Sequence, residues 1–230
     1  MREGAVVAYY DILPADLARL VAKVQWLVGQ GIASFAPRSL REVHATIIGL
    51  GLPGPGVDLP GLLDHLRAAF SAAPLQIGFG GFADRDYAFA SRSRRLYERS
   101  LTLHQGLATM IGWPVGTTHE PVLALDQVRR SCQRFGVVHK YHDAPGATDP
   151  DAYMVVGEYD QNAGATDKLD EVARTVRRAL RRDPVAVRTG VEELQVVVYT
   201  DRRLPRQETI ALPLHRPGVH TEVLRLLGRL

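Results

Sequence analysis

The sequence predicts an α+β protein with two similar lobes around a central cleft, in which two antiparallel sheets face the cleft and the helices lie outside. Strand and helix patterns follow the order strand, helix, strand, helix, strand, and this order occurs about twice. The residues of the two copies barely match, which excludes a solenoid. With 230 residues and 46% hydrophobic content, we expect one two-lobed domain over 1–230, with lobes of approximately 1–85 and 86–230 that exchange strands.

The first copy begins with a strand at residues 5–12, where β-branched and aromatic side chains precede Pro14. Apolar residues then recur at helical spacing and end at glycines, which predicts a helix over 14–31. The remaining elements predicted in this copy are a strand at 44–50, a Gly/Pro-rich turn at 49–61, an amphipathic helix at 59–73 and a glycine-interrupted strand at 74–82.

The second copy begins with a strand predicted at 86–92, followed by a long helix predicted over 94–113. A middle section, 113–150, contains a further helix at 123–136. The last elements predicted are a strand at 152–160, a helix at 166–183 with Thr166 as its N-cap, a strand pair or one bent strand at 185–201, and a final strand at 207–214.

Composition excludes several classes of protein. The net charge is +3 and only three residues are lysine, so arginine supplies most of the positive charge. Arginine suits phosphate contacts, but a GC-rich genome explains its abundance more simply, and the charge balance alone does not predict nucleic-acid binding. The single cysteine, Cys132, excludes an intramolecular disulfide and a thiolate metal site. No run approaches the ~18 apolar residues of a membrane helix and no secretion signal is recognisable, so we expect a cytoplasmic protein.

The stretch EVHATIIGLGLPG, residues 42–54, contains the polar pair His44 and Thr46. Side chains alternate faces along a strand, so these two project from one face while Ala45 and Ile47 project from the other. An imidazole with a pKa near ~6.5 can take or give a proton near neutrality. We therefore expect His44 in an active site, with an acid–base partner elsewhere in the chain.

A strand that reads His-x-Thr, aliphatics and glycine resembles the signature of the two-histidine (2H) phosphoesterase superfamily, which includes the 2′-5′ RNA ligase-like proteins and cyclic nucleotide phosphodiesterases. The order of the other elements matches over most of the chain. The resemblance implies a bilobal fold with two His-x-Thr/Ser strands facing across a cleft. One histidine would act as general base and the other as general acid, two hydroxyls would hold the phosphate, and neither metal nor cofactor would be required.

The second motif of that pattern is missing from its expected place. In the second copy the histidine would fall at about Ala152 or Tyr153, and the hydroxyl at Met154 or Val155. No His-x-Thr or His-x-Ser occurs elsewhere in the chain.

His139 and His142 are the leading candidates for the missing partner, because they lie just upstream of the degenerate strand. In an extended segment His139 and Tyr141 would share a face and mimic His-x-Thr. A solvated loop is the alternative, and His139, His142 and Asp143 as metal ligands are another, although no carboxylate or cysteine cluster nearby completes a shell. Tyr153 is a further candidate, with core packing as its alternative role.

Other side chains are candidates for substrate binding. Tyr9 and Tyr10 alternate faces on the first strand, so one of them would point into the cleft and stack on a base or sugar. Arg94 belongs to a basic cluster with Arg92 and Arg95 near a predicted helix start, where it would bind phosphate unless the cluster is a solvated surface.

Three functions follow. The first is a metal-independent 2H-type phosphoesterase, a hydrolase that acts on a nucleotide or RNA-end phosphodiester with an altered second half-site. His44 and either His139 or His142 would be its acid–base pair, and Thr46 would hold the phosphate. The second is a catalytically impaired module that binds a phosphate-containing ligand or RNA. The third is an unrelated small-molecule enzyme. No cofactor, metal, membrane contact or obligate protein partner is expected.

Overall fold

The computed structural model describes residues 2–51, 54, 56–142, 146–162 and 166–228. The side chain of Thr166 and all of Asp143, which were predicted as an N-cap and a possible metal ligand, lie outside this description. The strands are β1 (Glu3–Ala8), β2 (Ala36–Pro37), β3 (Ala45–Gly51), β4 (Leu75–Phe79), β5 (Leu101–His104), β6 (Leu107–Pro114), β7 (Ala152–Glu158), β8 (Val185–Thr189), β9 (Leu194–Tyr199) and β10 (Ile210–Pro213). The helices are α1 (Ala15–Gly31), α2 (Leu59–Ala72), α3 (Leu96–Arg99), α4 (Ala124–Ser131), α5 (Thr166–Arg182) and α6 (Val219–Leu226), with two short 3₁₀ helices at Cys132–Phe135 and Val191–Glu193.

Two antiparallel sheets form the framework. The first sheet has the order β10-β9-β1-β3, so strands from both ends of the chain meet in it. The second has the order β2-β7-β6-β4-β8, with β5 paired to β6. β1 and β3 thus share one sheet while β2 and β4 belong to the other, and the lobe boundary near residue 85 stays a prediction.

The helices cover the outer faces because each has an apolar stripe at helical spacing. α1 buries five aliphatic side chains and packs on α5, β7 and β8. α2 buries a similar stripe and packs beside α6 and the 3₁₀ helix at Val191–Glu193. At the start of α2 the Asp58 carboxylate accepts a hydrogen bond from the Gly61 amide, which caps an otherwise unpaired donor. The predicted α+β fold with two antiparallel sheets and outer helices is confirmed.

The helix predicted over 94–113 is wrong. Only Leu96–Arg99 is helical there, and β5 and β6 form a hairpin instead. The two loop residues, Gln105 and Gly106, have φ of 49° and 75°, the left-handed pair that suits a two-residue hairpin turn. The glycine in this turn and the pairing of β6 with β7 override the apolar spacing that suggested a helix.

The strand predicted at 86–92 is also wrong, because this segment contains only an isolated bridge between Ser91 and Arg94. At 185–201 the structure has two strands, β8 and β9, joined by a short 3₁₀ helix, rather than one bent strand. Among the described residues, no helix is long and apolar enough to cross a membrane.

Candidate active site

A cavity of about 1340 Å³ lies between the two sheets. β1 and β3 form one wall, and β7 forms the opposite wall. His44 and Thr46 line the first wall, whereas Tyr153 and Val155 line the second. The charged side chains on the described part of the lining are Glu3, Arg38, Lys140, Glu158, Asp160, Arg202 and Arg203.

The imidazole of His44 is held in one tautomer. Its Nδ1 lies 2.7 Å from the carbonyl oxygen of Glu42, which can only accept, so Nδ1 carries the proton. The pKa of His44 is lowered from 6.5 to about 4, chiefly by burial and to a smaller extent by the positive charge of Arg38, while the hydrogen bond to the Glu42 carbonyl opposes the shift. His44 is therefore neutral at pH 7, and its Nε2 keeps a lone pair that can accept a proton.

A β-bulge explains how β3 presents Thr46 to the cavity and still buries two consecutive isoleucines. Val7 pairs with Thr46 while Val6 pairs with Ile48, so Ile47 is an extra residue on this strand. Both isoleucines consequently belong to the main core. Simple alternation predicts the orientation of Thr46 but not the burial of Ile48.

The guanidinium of Arg129 is fully buried behind both walls. Its nitrogens donate to the carbonyl oxygens of Thr46 and Ile47 at 2.8 Å each, and to those of Asp149 and Asp151 at 2.6 and 3.1 Å. Its Nη1 also lies 3.4 Å from the Asp149 carboxylate. One side chain from α4 therefore ties β3 to the segment that leads into β7.

His139 lines the cavity and forms a buried pair with Asp149. The carboxylate accepts from Nε2 of His139 at 2.6 Å, which leaves Nδ1 as the nitrogen available for proton transfer. Burial lowers the pKa of His139, and the bond to Asp149 offsets this only in part. Burial alone would raise the pKa of Asp149, but His139 and Arg129 outweigh it and hold this carboxyl ionised.

His142 does not line the cavity. Its side chain is fully buried, and its Nε2 donates to the Asp126 carboxylate at 2.7 Å. The amide of His142 donates to the carbonyl of His139 at 2.8 Å, so this segment is a turn rather than an extended strand. The segment is not extended, yet the ring centres of His139 and Tyr141 lie 5.5 Å apart, so their predicted mimicry of His-x-Thr stays a prediction. The rings of His139 and His142 are 5.1 Å apart, and each histidine is bonded to a different carboxylate.

β7 turns Tyr153 and Val155 toward the cavity, while Ala152 and Met154 are buried in the core. The lining positions opposite His44 and Thr46 thus carry a phenol and an isopropyl group. Lys140, from the turn before β7, has its Nζ 5.8 Å from the centre of the Tyr153 ring. The second wall has a different chemistry from the first.

Tyr9 and Tyr10 lie outside the cavity lining. β1 ends at Ala8, and Tyr9 has a φ of 69°, so strand alternation no longer applies to these two residues. The Tyr9 hydroxyl is hydrogen-bonded to Thr189 in the core. Tyr10 donates to the Leu204 carbonyl at 3.0 Å and packs edge-on against His44, so its contact with the site is structural.

Arg94 is exposed and does not line the cavity. Its role in substrate binding stays a prediction. Its neighbour Arg92 lies closer to the site, with its guanidinium carbon 3.8 Å from the centre of the Tyr141 ring. No group of three or more metal-ligating side chains occurs in the ranges that the structure covers.

Sequence reasoning missed several groups that shape the site, chiefly Arg38, Arg129, Lys140 and Asp149. Arg129 carried a usable signal: it lies four residues after Leu125 and three before Cys132, on the apolar face of the predicted helix at 123–136. A charged residue in that position is expected to be buried and paired.

No protein-family model and no curated protein matches the chain. The crystal structure of TT0787 of Thermus thermophilus aligns with 13% identity and a TM-score of 0.46, covering 94% of this chain and 100% of that one. The structure of Kluyveromyces marxianus Usb1 aligns with 12% identity and a TM-score of 0.46, covering 92% of this chain and 97% of that one. Likeness at this level gives no argument about chemistry, and the function has to be argued from this chain's own residues.

Proposed function

We propose that the protein is a metal-independent phosphoesterase of the two-histidine type that acts on a nucleotide or RNA-end phosphodiester, with an altered second half-site. The observation that carries the proposal is the state of His44. Its neutral imidazole is fixed through Nδ1 by the Glu42 carbonyl and lines a cavity large enough for a nucleotide. Thr46 lines the same wall two residues away.

In the opening of a cyclic phosphodiester, His44 Nε2 would take a proton from the attacking water as the new P–O bond forms. The Thr46 hydroxyl would donate to a phosphoryl oxygen and stabilise the charge that develops there. As the second P–O bond breaks, the leaving ribose oxygen needs a proton. His139 is our candidate donor, since it lines the cavity and its bond to Asp149 partly offsets the effect of burial, which lowers its pKa. His142, which is fully buried, is the weaker candidate.

The test is turnover of 2′,3′-cyclic nucleotides, with chelator present, by wild type, His44→Ala and His139→Asn. We expect each variant to lose about 10²–10⁴-fold in kcat, the usual contribution of one proton-transfer group. His215→Ala, at an exposed histidine outside the cavity, is the matched control and should keep wild-type turnover. Because the pKa of His44 and that of His139 both lie below the ordinary value, kcat/KM should peak on the acid side of pH 6.5. Undiminished turnover in His44→Ala would refute the proposal.

A second candidate function is a module that binds a phosphate-containing ligand without turning it over. The presence of Tyr153 and Val155 on β7, in place of a second histidine and hydroxyl, favours it. In that case binding of a nucleoside monophosphate would depend on His44, and no cyclic nucleotide would be hydrolysed.

A further inference from the structure

The wall formed by β7 leaves part of a bound phosphate without a donor. Val155 has no hydrogen-bonding group, and Tyr153 supplies one hydroxyl at most. A phosphodiester carries a full negative charge, which is costly to hold in a cavity unless a cation or several N–H or O–H groups meet it. If the cavity binds such a ligand, a residue outside β7 has to supply that charge.

Lys140 lies where such a charge is needed. It lines the cavity, and its Nζ is 5.8 Å from the ring centre of Tyr153 and 4.6 Å from that of Tyr141. On Tyr141 it is joined by the guanidinium of Arg92, 3.8 Å from the ring centre. Two cations therefore flank one aromatic ring beside the second wall.

The other basic side chains of the cavity already have carboxylate partners. Arg38 and Arg203 both pair with Glu158, at 3.3 and 3.2 Å, and Arg202 pairs with Glu3 at 3.0 Å. Among the residues that the structure describes, Lys140 has no carboxylate within ion-pair distance, and its ammonium group lies beside Tyr141 and Tyr153. It is thus the basic group of the lining that a ligand could engage without first breaking an ion pair described in the structure.

Buried hydrogen bonds fix the turn that carries Lys140. His139, which precedes it, is bonded to Asp149, and His142, two residues after it, is bonded to Asp126. The bond from the His142 amide to the His139 carbonyl closes the turn. The backbone of Lys140 is therefore held in place before any ligand binds, and only the flexible side chain has to be ordered.

We propose that Lys140 is the phosphate-binding residue of the second half-site. Its ammonium group binds the non-bridging oxygens of a phosphodiester or phosphomonoester whose other side is held by His44 and Thr46. The rings of Tyr141 and Tyr153 lie beside this ammonium group, 4.6 and 5.8 Å from its nitrogen. The inference rests on the proposed function, because it presupposes that a phosphate group binds in the cleft.

The test uses uridine 3′-monophosphate, with uridine as the control ligand, and reductive methylation of lysine read by mass spectrometry. The chain has only three lysines, so each is resolved. We expect the nucleotide to protect Lys140 and uridine not to. Lys23, paired with Asp183 on the surface, and Lys168, exposed on α5, serve as internal controls and should be methylated equally with and without ligand.

Calorimetry on variants gives the second readout. Lys140→Met should raise the Kd for the nucleotide about tenfold to a hundredfold, the loss of one charge-assisted hydrogen bond. Lys140→Arg should restore most of the affinity, and Lys168→Met should leave it unchanged. Circular dichroism and the Tm of Lys140→Met would establish that the variant is folded.

The two proposals fail in different ways. If the nucleotide binds and His44 is required for turnover, but Lys140 is methylated equally with and without ligand, the role of Lys140 is overturned and the phosphoesterase stands. If neither cyclic nucleotide turnover nor nucleotide binding is detected in wild type, the proposed function is overturned and the assignment of Lys140 falls with it.

Discussion

At the level of single residues, the sequence identified His44 and Thr46 from their spacing, and the structure places both on the cavity wall. The spacing could not give the protonation state, because that depends on a backbone carbonyl two residues upstream and on burial in the folded chain. The same reasoning could not separate His139 from His142. They lie three residues apart in the sequence, yet only a tertiary contact decides which of them lines the cavity.

The first prediction at this scale concerns the pH dependence of stability. The folded pKa of His44 is about 4, below its ordinary 6.5, because burial disfavours the charged imidazole. Between these two values the unfolded chain therefore binds a proton that the folded chain does not. Lowering the pH from 6.5 to 4 should lower the free energy of unfolding of wild type more than that of His44→Gln.

Urea denaturation between pH 4 and pH 8 measures this difference. His139 and the carboxylates titrate in both proteins, so their effects cancel when the two curves are subtracted. The difference between the proteins should be constant above about pH 6.5. Parallel curves over the whole range would show that His44 keeps its ordinary pKa.

At the level of elements, strand and helix patterns predicted most of the secondary structure, and the failure at 94–113 has a local cause in the turn and a long-range cause in strand pairing. Apolar residues there fit a helical spacing, but Gln105 and Gly106 take left-handed conformations and β6 finds partners on both sides. Pairing between distant strands is not visible in a window of one segment. The β-bulge at Ile47 could not be predicted for the same reason, since it arises from the pairing of β3 with β1.

Arg129 gives the prediction at this scale. Arg129→Met would remove the donors to four main-chain carbonyls and leave Asp149 with less compensating charge. We expect the free energy of unfolding to fall by about 3–5 kcal/mol, the usual cost of removing one partner from a buried ion pair. Arg129→Lys should recover only part of this, because an ammonium group has three donors and cannot reach four carbonyls in one plane.

Chemical denaturation of both variants checks the expectation. Arg174→Met, at an exposed arginine on α5, is the control and should change stability by less than about 0.5 kcal/mol. A stable Arg129→Met variant would show that the contacts of Arg129 with β3 and the segment before β7 are dispensable.

For the whole molecule, the duplicated order of elements predicted an α+β protein with two lobes around a cleft. It could not give the strand order, in which β9 lies beside β1 and β8 lies beside β4. These pairings join residues far apart in the sequence. They depend on which strands bury their apolar faces in the same core, and a local sequence pattern does not contain that information.

The reactivity of the Cys132 thiol can be used to measure how often the main core unfolds. Cys132 is fully buried in the main core, and burial raises its pKa to about 12. We expect the native protein to be inert to a thiol reagent and to react only at the rate of unfolding. A Ser71→Cys variant, with a second thiol on the exposed face of α2, should instead take up one equivalent at once and the second only in denaturant. Rapid labelling of native wild type would show that the core opens locally.

The position of β1 between β3 and β9 has a consequence for synthesis. A ribosome makes His44 well before β9, the strand that pairs with the other edge of β1. A growing chain therefore carries the imidazole before its sheet is complete, and a product that ends before β9 leaves one edge of β1 unpaired. A message broken before the codons of β9 would therefore yield a polypeptide whose first sheet lacks the pairing of β9 with β1.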